Sequence, residues 1–246
     1  MVEDLSVLTR QASPPDLTVS YGSDSDQVAD IRYGQRGAQL PLLVLIHGGF
    51  WKPQYDRMHT EAMASALAAT GWTVLTLEYR RIPHTPDATL QDIASALKNL
   101  PVTVAQHNGK LLLVGHSSGG HLALWAAVTC ATPLLQGVLA LAPAADLCLA
   151  HSLNLGDGAV MGFLGSDPVE RSDLDPKLLP APTVAVTLVQ GELDEIVPPS
   201  VAVSYCDAFP KTRWVALPDS GHFALIDPLS NAWAVVVDEL HKLSGG

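Results

Sequence analysis

The chain has 246 residues and a formal net charge of −11, from 14 Lys and Arg against 25 Asp and Glu. That charge repels phosphate backbones, so nucleic acid is excluded as an expected partner. A 48% share of hydrophobic residues suits one soluble domain over 1–246 with a substantial core, and no apolar run reaches the length of a membrane span.

Residues 1–15 read as a loose arm or short helix ending at Pro14-Pro15. The acidic start Met1-Val2-Glu3-Asp4 carries no apolar leader. Leu17 to Tyr21 and Val28 to Tyr33 alternate in polarity and predict two antiparallel strands. Leu42 to Ile46 is apolar throughout, as a strand buried on both faces must be. From there helices and strands alternate: helix His59–Ala69, strand Trp72–Glu78, helix Leu90–Leu100, strand Leu111–Val114, helix His121–Thr129, strand Gly137–Leu141. After an interval come strand Val184–Gln190, helix Ser200–Phe209, strand Trp214–Leu217 and helix Ala232–Leu243. Such alternation predicts an α/β fold: a doubly wound, mostly parallel sheet of about eight strands with helices on both faces. Pro143 to Pro182 holds no clear strand and is rich in Gly, Asp and Pro. It reads as a short cap or substrate-loop insert at about 144–181.

Chemistry concentrates in Leu111-Leu112-Leu113-Val114-Gly115-His116-Ser117-Ser118-Gly119-Gly120-His121. An apolar strand, G-x-S-x-G and a following helix make a nucleophile elbow with Ser117 at its apex. Serine needs a base, and the base an orienting acid, in the chain order Ser, acid, His. His222, in Asp219-Ser220-Gly221-His222-Phe223 after the last strand, is the expected base. His121 faces away from its own serine, His151 lies in the insert, and His241 sits among charged residues on the last helix. Asp194, in the loop after strand Val184–Gln190, is the expected acid, with Glu192, Glu195, Asp219 and Asp146 as rivals. The oxyanion site is expected from the Ser118 amide and from Gly48, Gly49 and Phe50 of His47-Gly48-Gly49-Phe50-Trp51. His47 reads as a loop brace rather than a catalyst. Phe50, Trp51, Tyr79 and His116 are the candidate substrate contacts, although Trp51 serves equally well as packing. Glu78 and Arg80 read as a structural ion pair.

These stretches resemble the α/β-hydrolase superfamily over nearly the whole chain. His47-Gly48-Gly49-Phe50-Trp51 is similar to the H-G-G-x-W motif of serine-dependent kynurenine formamidases (arylformamidases). Glu78-Tyr79-Arg80-Arg81 and the elbow also resemble that group. The resemblance implies hydrolysis of N-formyl-L-kynurenine through Ser117, Asp194 and His222. Carboxylesterases with small acyl groups share these motifs, and a non-catalytic ligand-binding relative is a remote alternative. The expected partner is a small acyl substrate, aromatic in the first reading, and a homodimer stays open. Cys130, Cys148 and Cys206 are odd in number and lack metal-type spacing, which suits reduced thiols in a cytoplasm. No cofactor and no metal are expected.

Overall fold

The structure, a computed structural model, describes residues 4–130 and 132–245; Met1 to Glu3 of the expected arm lie outside them. In chain order the elements are β1 (Leu17–Ser20), β2 (Val28–Arg32), β3 (Leu42–Ile46), α1 (Glu61–Ala69), β4 (Val74–Leu77), α2 (Pro86–Asn99), β5 (Leu111–His116), α3 (Ser118–Thr129), β6 (Leu135–Leu141), α4 (Leu147–Ser152), α5 (Ala159–Leu164), β7 (Ala185–Gly191), α6 (Pro199–Ala208), β8 (Arg213–Leu217) and α7 (Trp233–Leu243).

The strands form one sheet in the order β1-β2-β4-β3-β5-β6-β7-β8. β1–β2 and β2–β4 pair antiparallel and every later pair is parallel. Apolar continuity in β3 and β5 has a direct packing cause. Leu42, Val44, Ile46, Leu111 and Leu113 enter a core with α2, α3 and α6, while Leu43, Leu45, Leu112 and Val114 enter a second core with α1 and α7. A strand flanked by helices on both sides has no polar face to offer. Among the described residues no helix is long and apolar enough to cross a membrane.

Two helix starts differ from the sequence expectation by three residues or more. α2 opens at Pro86, before its first periodic apolar residue, because proline's fixed φ suits the first turn and its missing N–H costs nothing there. α3 opens at Ser118 rather than His121. Gly119 and Gly120 are poor helix formers, but contact demands them. A Cβ at 119 would lie 2.1 Å from Ile46 O, and one at 120 would lie 2.8 Å from Pro143 Cβ. His241, expected in solvent, is half-buried with its ring 5.4 Å from that of Trp72.

Residues 144–181 form no strand; they fold as α4, α5 and two 3-10 turns, Pro168–Leu174 and Pro176–Leu178. Leu147, Val160, Phe163 and Leu174 join the core that holds α3. The parallel strands all end at one rim, so the loops after β3, β5, β7 and β8 meet there.

Candidate active site

β5 runs straight into Ser117, which holds φ 57° and ψ −122°, a strained backbone for a residue with a Cβ. The turn closes because a side chain is missing on each side. A Cβ at 115 would sit 2.2 Å from Gly119 O. Ser117 N donates to Leu141 O at 2.8 Å, which ties the apex to the end of β6.

Asp194 and His222 come together at the same rim. His222 Nδ1 lies 2.7 Å from Asp194 Oδ2, and both residues are buried. Asp194 is held from three further directions. Gln190 Nε2 donates to Oδ2 at 3.0 Å, and the amides of Ile196 and Val197 donate to Oδ1 at 2.9 and 2.8 Å. Glycine ends β7 because a Cβ at 191 would lie 2.3 Å from Ser220 O, in the loop that carries His222. The rival acids are elsewhere. Glu192, Glu195 and Asp219 are exposed. Asp146 caps α4 and binds Lys177 Nζ at 2.8 Å and Ser204 Oγ at 2.7 Å.

The loop after β3 touches the elbow. A Cβ at 48 would lie 2.9 Å from both Ser117 Cβ and His116 O. Gly49, Phe50 and Trp51 all take positive φ (112°, 55° and 55°), which coils the backbone tightly over this point. Gly48→Ala is therefore expected to push the loop off the serine and lower kcat on the order of 10²-fold, the scale of one lost oxyanion donor, with little change in KM. Steady-state kinetics on one ester substrate measures that split.

A buried polar network carries this loop from below. His47 Nδ1 lies 2.7 Å from Gly48 O and its Nε2 3.0 Å from Glu78 Oε1, so His47 is the brace the sequence suggested. Glu78 also binds Arg81 and accepts from the Arg57 amide at 2.9 Å. Burial pushes its carboxyl up, but the hydrogen bond from His47 and the charges beside it outweigh burial and hold it at about 2. The expected Glu78–Arg80 pair does not form. Arg80 instead makes a two-pronged bond to Asp92, at 2.9 and 2.7 Å, and Glu78 takes Arg81. Alternate residues after β4 point to opposite sides, and the sequence did not fix which arginine faced inward.

The elbow opens on a cavity of about 550 Å³, lined by Gly49, Phe50, His116, Ser117 and His222 together with residues the sequence did not single out. These include Leu5, Leu8, Tyr55, Met58, His59 and Phe223. Two expected substrate contacts are absent from the lining. Trp51 is buried under the loop, stacked on Phe163 at 4.8 Å and donating to His121 Nδ1 at 3.3 Å. Tyr79 is fully buried and donates to His47 O at 2.8 Å. Both pack the loop after β3 instead of lining the cavity. Residues 144–181 also stay out of the lining; they brace the loop from outside, where Lys52 Nζ donates to Gly156 O at 2.8 Å.

His116 does reach the cavity. Its Nε2 lies 3.1 Å from His222 O, and burial beside His222 holds its ring far below the ordinary imidazole range, hence neutral. His59 is held at about 4 by burial and the neighbouring His47. Away from the rim, Asp146, Cys148 and Asp175 converge within 4.8 Å. Asp146 is committed to Lys177, and Asp175 accepts the amides of Leu147, Cys148 and Lys177, so these groups stitch α4 to the following turn.

The BD-FAE family model matches residues 30–208, well over half of the chain. The chain belongs to the BD-FAE family. This BD-FAE member is 25% identical to esterase LipC of Mycobacterium tuberculosis (strain ATCC 25618 / H37Rv) over 271 residues, 91% of this chain and 65% of LipC. It is 24% identical to a kynurenine formamidase of Salmo salar over 247 residues, 93% of this chain and 82% of that one. Among solved structures, a truncated carbohydrate esterase from gut microbiota superposes with a TM-score of 0.79 at 19% identity, covering 96% of this chain and all of that one. The fold is thus that of the α/β-hydrolases. The chain spans under two thirds of LipC and about a quarter of LipQ, the first two M. tuberculosis relatives.

Proposed function

We propose that this protein is a serine hydrolase of small, neutral carboxylic esters, working through an acyl-enzyme. The observation that carries the reading is the buried Asp194–His222 pair at 2.7 Å, opening on the same cavity as Ser117. In the proposed cycle Ser117 Oγ attacks the ester carbonyl while His222 takes its proton. His222 then returns the proton to the departing alcohol, and water repeats the two steps to release the acid. Asp194 keeps the Nδ1 proton in place and stabilises the imidazolium. The amides of Ser118 and of the Gly48–Phe50 loop hold the oxyanion.

The cavity wall favours an uncharged substrate. Among the described lining residues there is no Lys or Arg, Asp56 is the one carboxylate, and His116 and His59 are neutral at pH 7. A free amino-acid carboxylate would enter such a site without a cationic partner, at a desolvation cost.

A second reading, hydrolysis of N-formyl-L-kynurenine, rests on the H-G-G-x-W motif and on the full-length similarity to the Salmo salar enzyme. We expect kcat/KM on p-nitrophenyl acetate to exceed that on N-formyl-L-kynurenine by at least about tenfold. The reverse order would replace the ester reading by the formamide one. The proposed setting is a single domain with an insert at 144–181, in a cytoplasm, where the three free thiols would stay reduced.

A further inference from the structure

The cavity is closed on one side by a segment that contributes nothing to the sheet. Residues Ser6–Thr9 form a 3-10 turn whose Leu8 lines the cavity along with the preceding Leu5. The turn is fixed at both ends and in its middle. Asp4 Oδ1 accepts from Ser6 N at 2.9 Å. Val7 is 1% exposed and buried in the core that holds α1 and α7. Arg10 makes a two-pronged ion pair with Asp227, the longer arm being 3.0 Å, and its Nη2 also donates to Ser6 Oγ at 3.0 Å. Asp227 closes the short turn Phe223–Ile226 that follows His222. The segment therefore hangs between the core and the loop of the proposed base, laid across the mouth of the site.

Its chemistry is apolar where it faces the cavity. Leu5, Leu8, Tyr55, Met58, Ile196 and Phe223 surround the space on this side. Leu5, Tyr55 and Met58 are also 54%, 45% and 50% exposed, so an apolar channel reaches solvent. Exposed apolar groups converging on one concavity mark a surface that a ligand covers.

We propose that residues Leu5–Arg10 form a strap that binds the hydrocarbon chain of the ester and sets its preferred length. The inference rests on the ester reading above. A chain longer than acetyl or ethyl leaves the serine, passes under Leu8 and ends against Leu5, removing apolar surface on both partners from water. The Arg10–Asp227 latch holds the strap at a fixed height above the cavity floor.

The test compares p-nitrophenyl hexanoate with the acetate, for the acyl side, and hexyl acetate with ethyl acetate, for the alcohol side. The ratio of kcat/KM, long over short, is read for the wild-type protein, Leu8→Trp and Leu5→Asp. Leu8→Trp fills the channel and Leu5→Asp places a charge at its mouth. Each is expected to lower the ratio at least tenfold in one of the two series. Leu5 is half exposed, so Leu5→Asp folds even where Leu8→Trp does not, and thermal unfolding monitors both. Ratios within twofold of wild type in both series overturn the strap. Failure of the ester reading looks different: the wild type turns over no ester at all. In that event labelling of Ser117 by ethyl and by hexyl fluorophosphonates gives the same long-over-short ratio, and a serine that labels with neither overturns both proposals.

Discussion

Asp194→Asn is expected to lower kcat about 10⁴-fold with a far smaller effect on KM. The surroundings of the carboxylate dictate how the amide sits. Oδ1 accepts the amides of Ile196 and Val197 at 2.9 and 2.8 Å, and only an oxygen can stay there. The new NH₂ therefore replaces Oδ2, facing His222 Nδ1. It donates, so Nδ1 must accept and the ring proton moves to Nε2. An imidazole protonated at Nε2 cannot take the proton of Ser117. The same NH₂ also meets Gln190 Nε2, a donor 3.0 Å from Oδ2 in the wild type, which misaligns the pair further. Glu192→Gln, Glu195→Gln and Asp219→Asn change exposed side chains and should keep kcat within about twofold. Turnover of Asp194→Asn near the wild-type rate, in protein with an unchanged unfolding curve, would remove Asp194 from the role.

The elements that position this site were legible because their physics is local. An apolar run ending in G-x-S-x-G forces the strand, the turn and the helix together, and the Gly-Gly pair after β3 signals a backbone that must come close to something. That Asp194 and His222 would meet was readable from chain order and from loops that close strands, and the two side chains lie 2.7 Å apart. What the sequence hid depends on which way a residue faces. Trp51 read equally as a pocket wall and as packing, and the positive φ values at 49–51 go with a ring turned inward, onto Phe163. Which way a residue faces also explains why Arg81, not Arg80, pairs with Glu78 and why Tyr79 is buried away from the cavity. The arm was harder still. Leu5, Val7 and Leu8 are three apolar residues in a short segment, too few for a periodic signal. The arm's partners, the turn Arg57–Thr60 for Ser6–Thr9 and Asp227 for Arg10, lie about 50 and 217 positions away. Long-range pairing of that kind leaves no pattern in a single sequence.

Glu78→Gln is the second large effect, because one carboxylate joins four parts of the site's foundation. It meets His47 under the loop that follows β3, Arg81 after β4, the Arg57 amide before α1 and its own neighbour Tyr79 N at 3.1 Å. Glutamine leaves the buried Arg81 guanidinium only the half-exposed Asp26, at 3.7 Å, as counter-charge, and breaking a buried pair in this way costs about 3 kcal/mol. The pH dependence separates this from a simple packing defect. In the folded chain Glu78 titrates at about 2, against an ordinary 4.5. The unfolded chain thus takes up that proton first as pH falls. The stability due to the ionised group is complete above about 4.5 and drains away toward 2. His59 and His121, held at about 4 against 6.5 chiefly by burial, act at higher pH with the same sign. Their neutral forms are favoured by folding, so stability declines between 6.5 and 4 in wild type and variant alike. The gap between wild type and Glu78→Gln in denaturant unfolding should accordingly be constant from pH 7 to 5 and smaller by half or more at pH 3. A gap as wide at pH 3 as at pH 7 would mean that the lost stability came from shape, and that the charge under the loop is incidental.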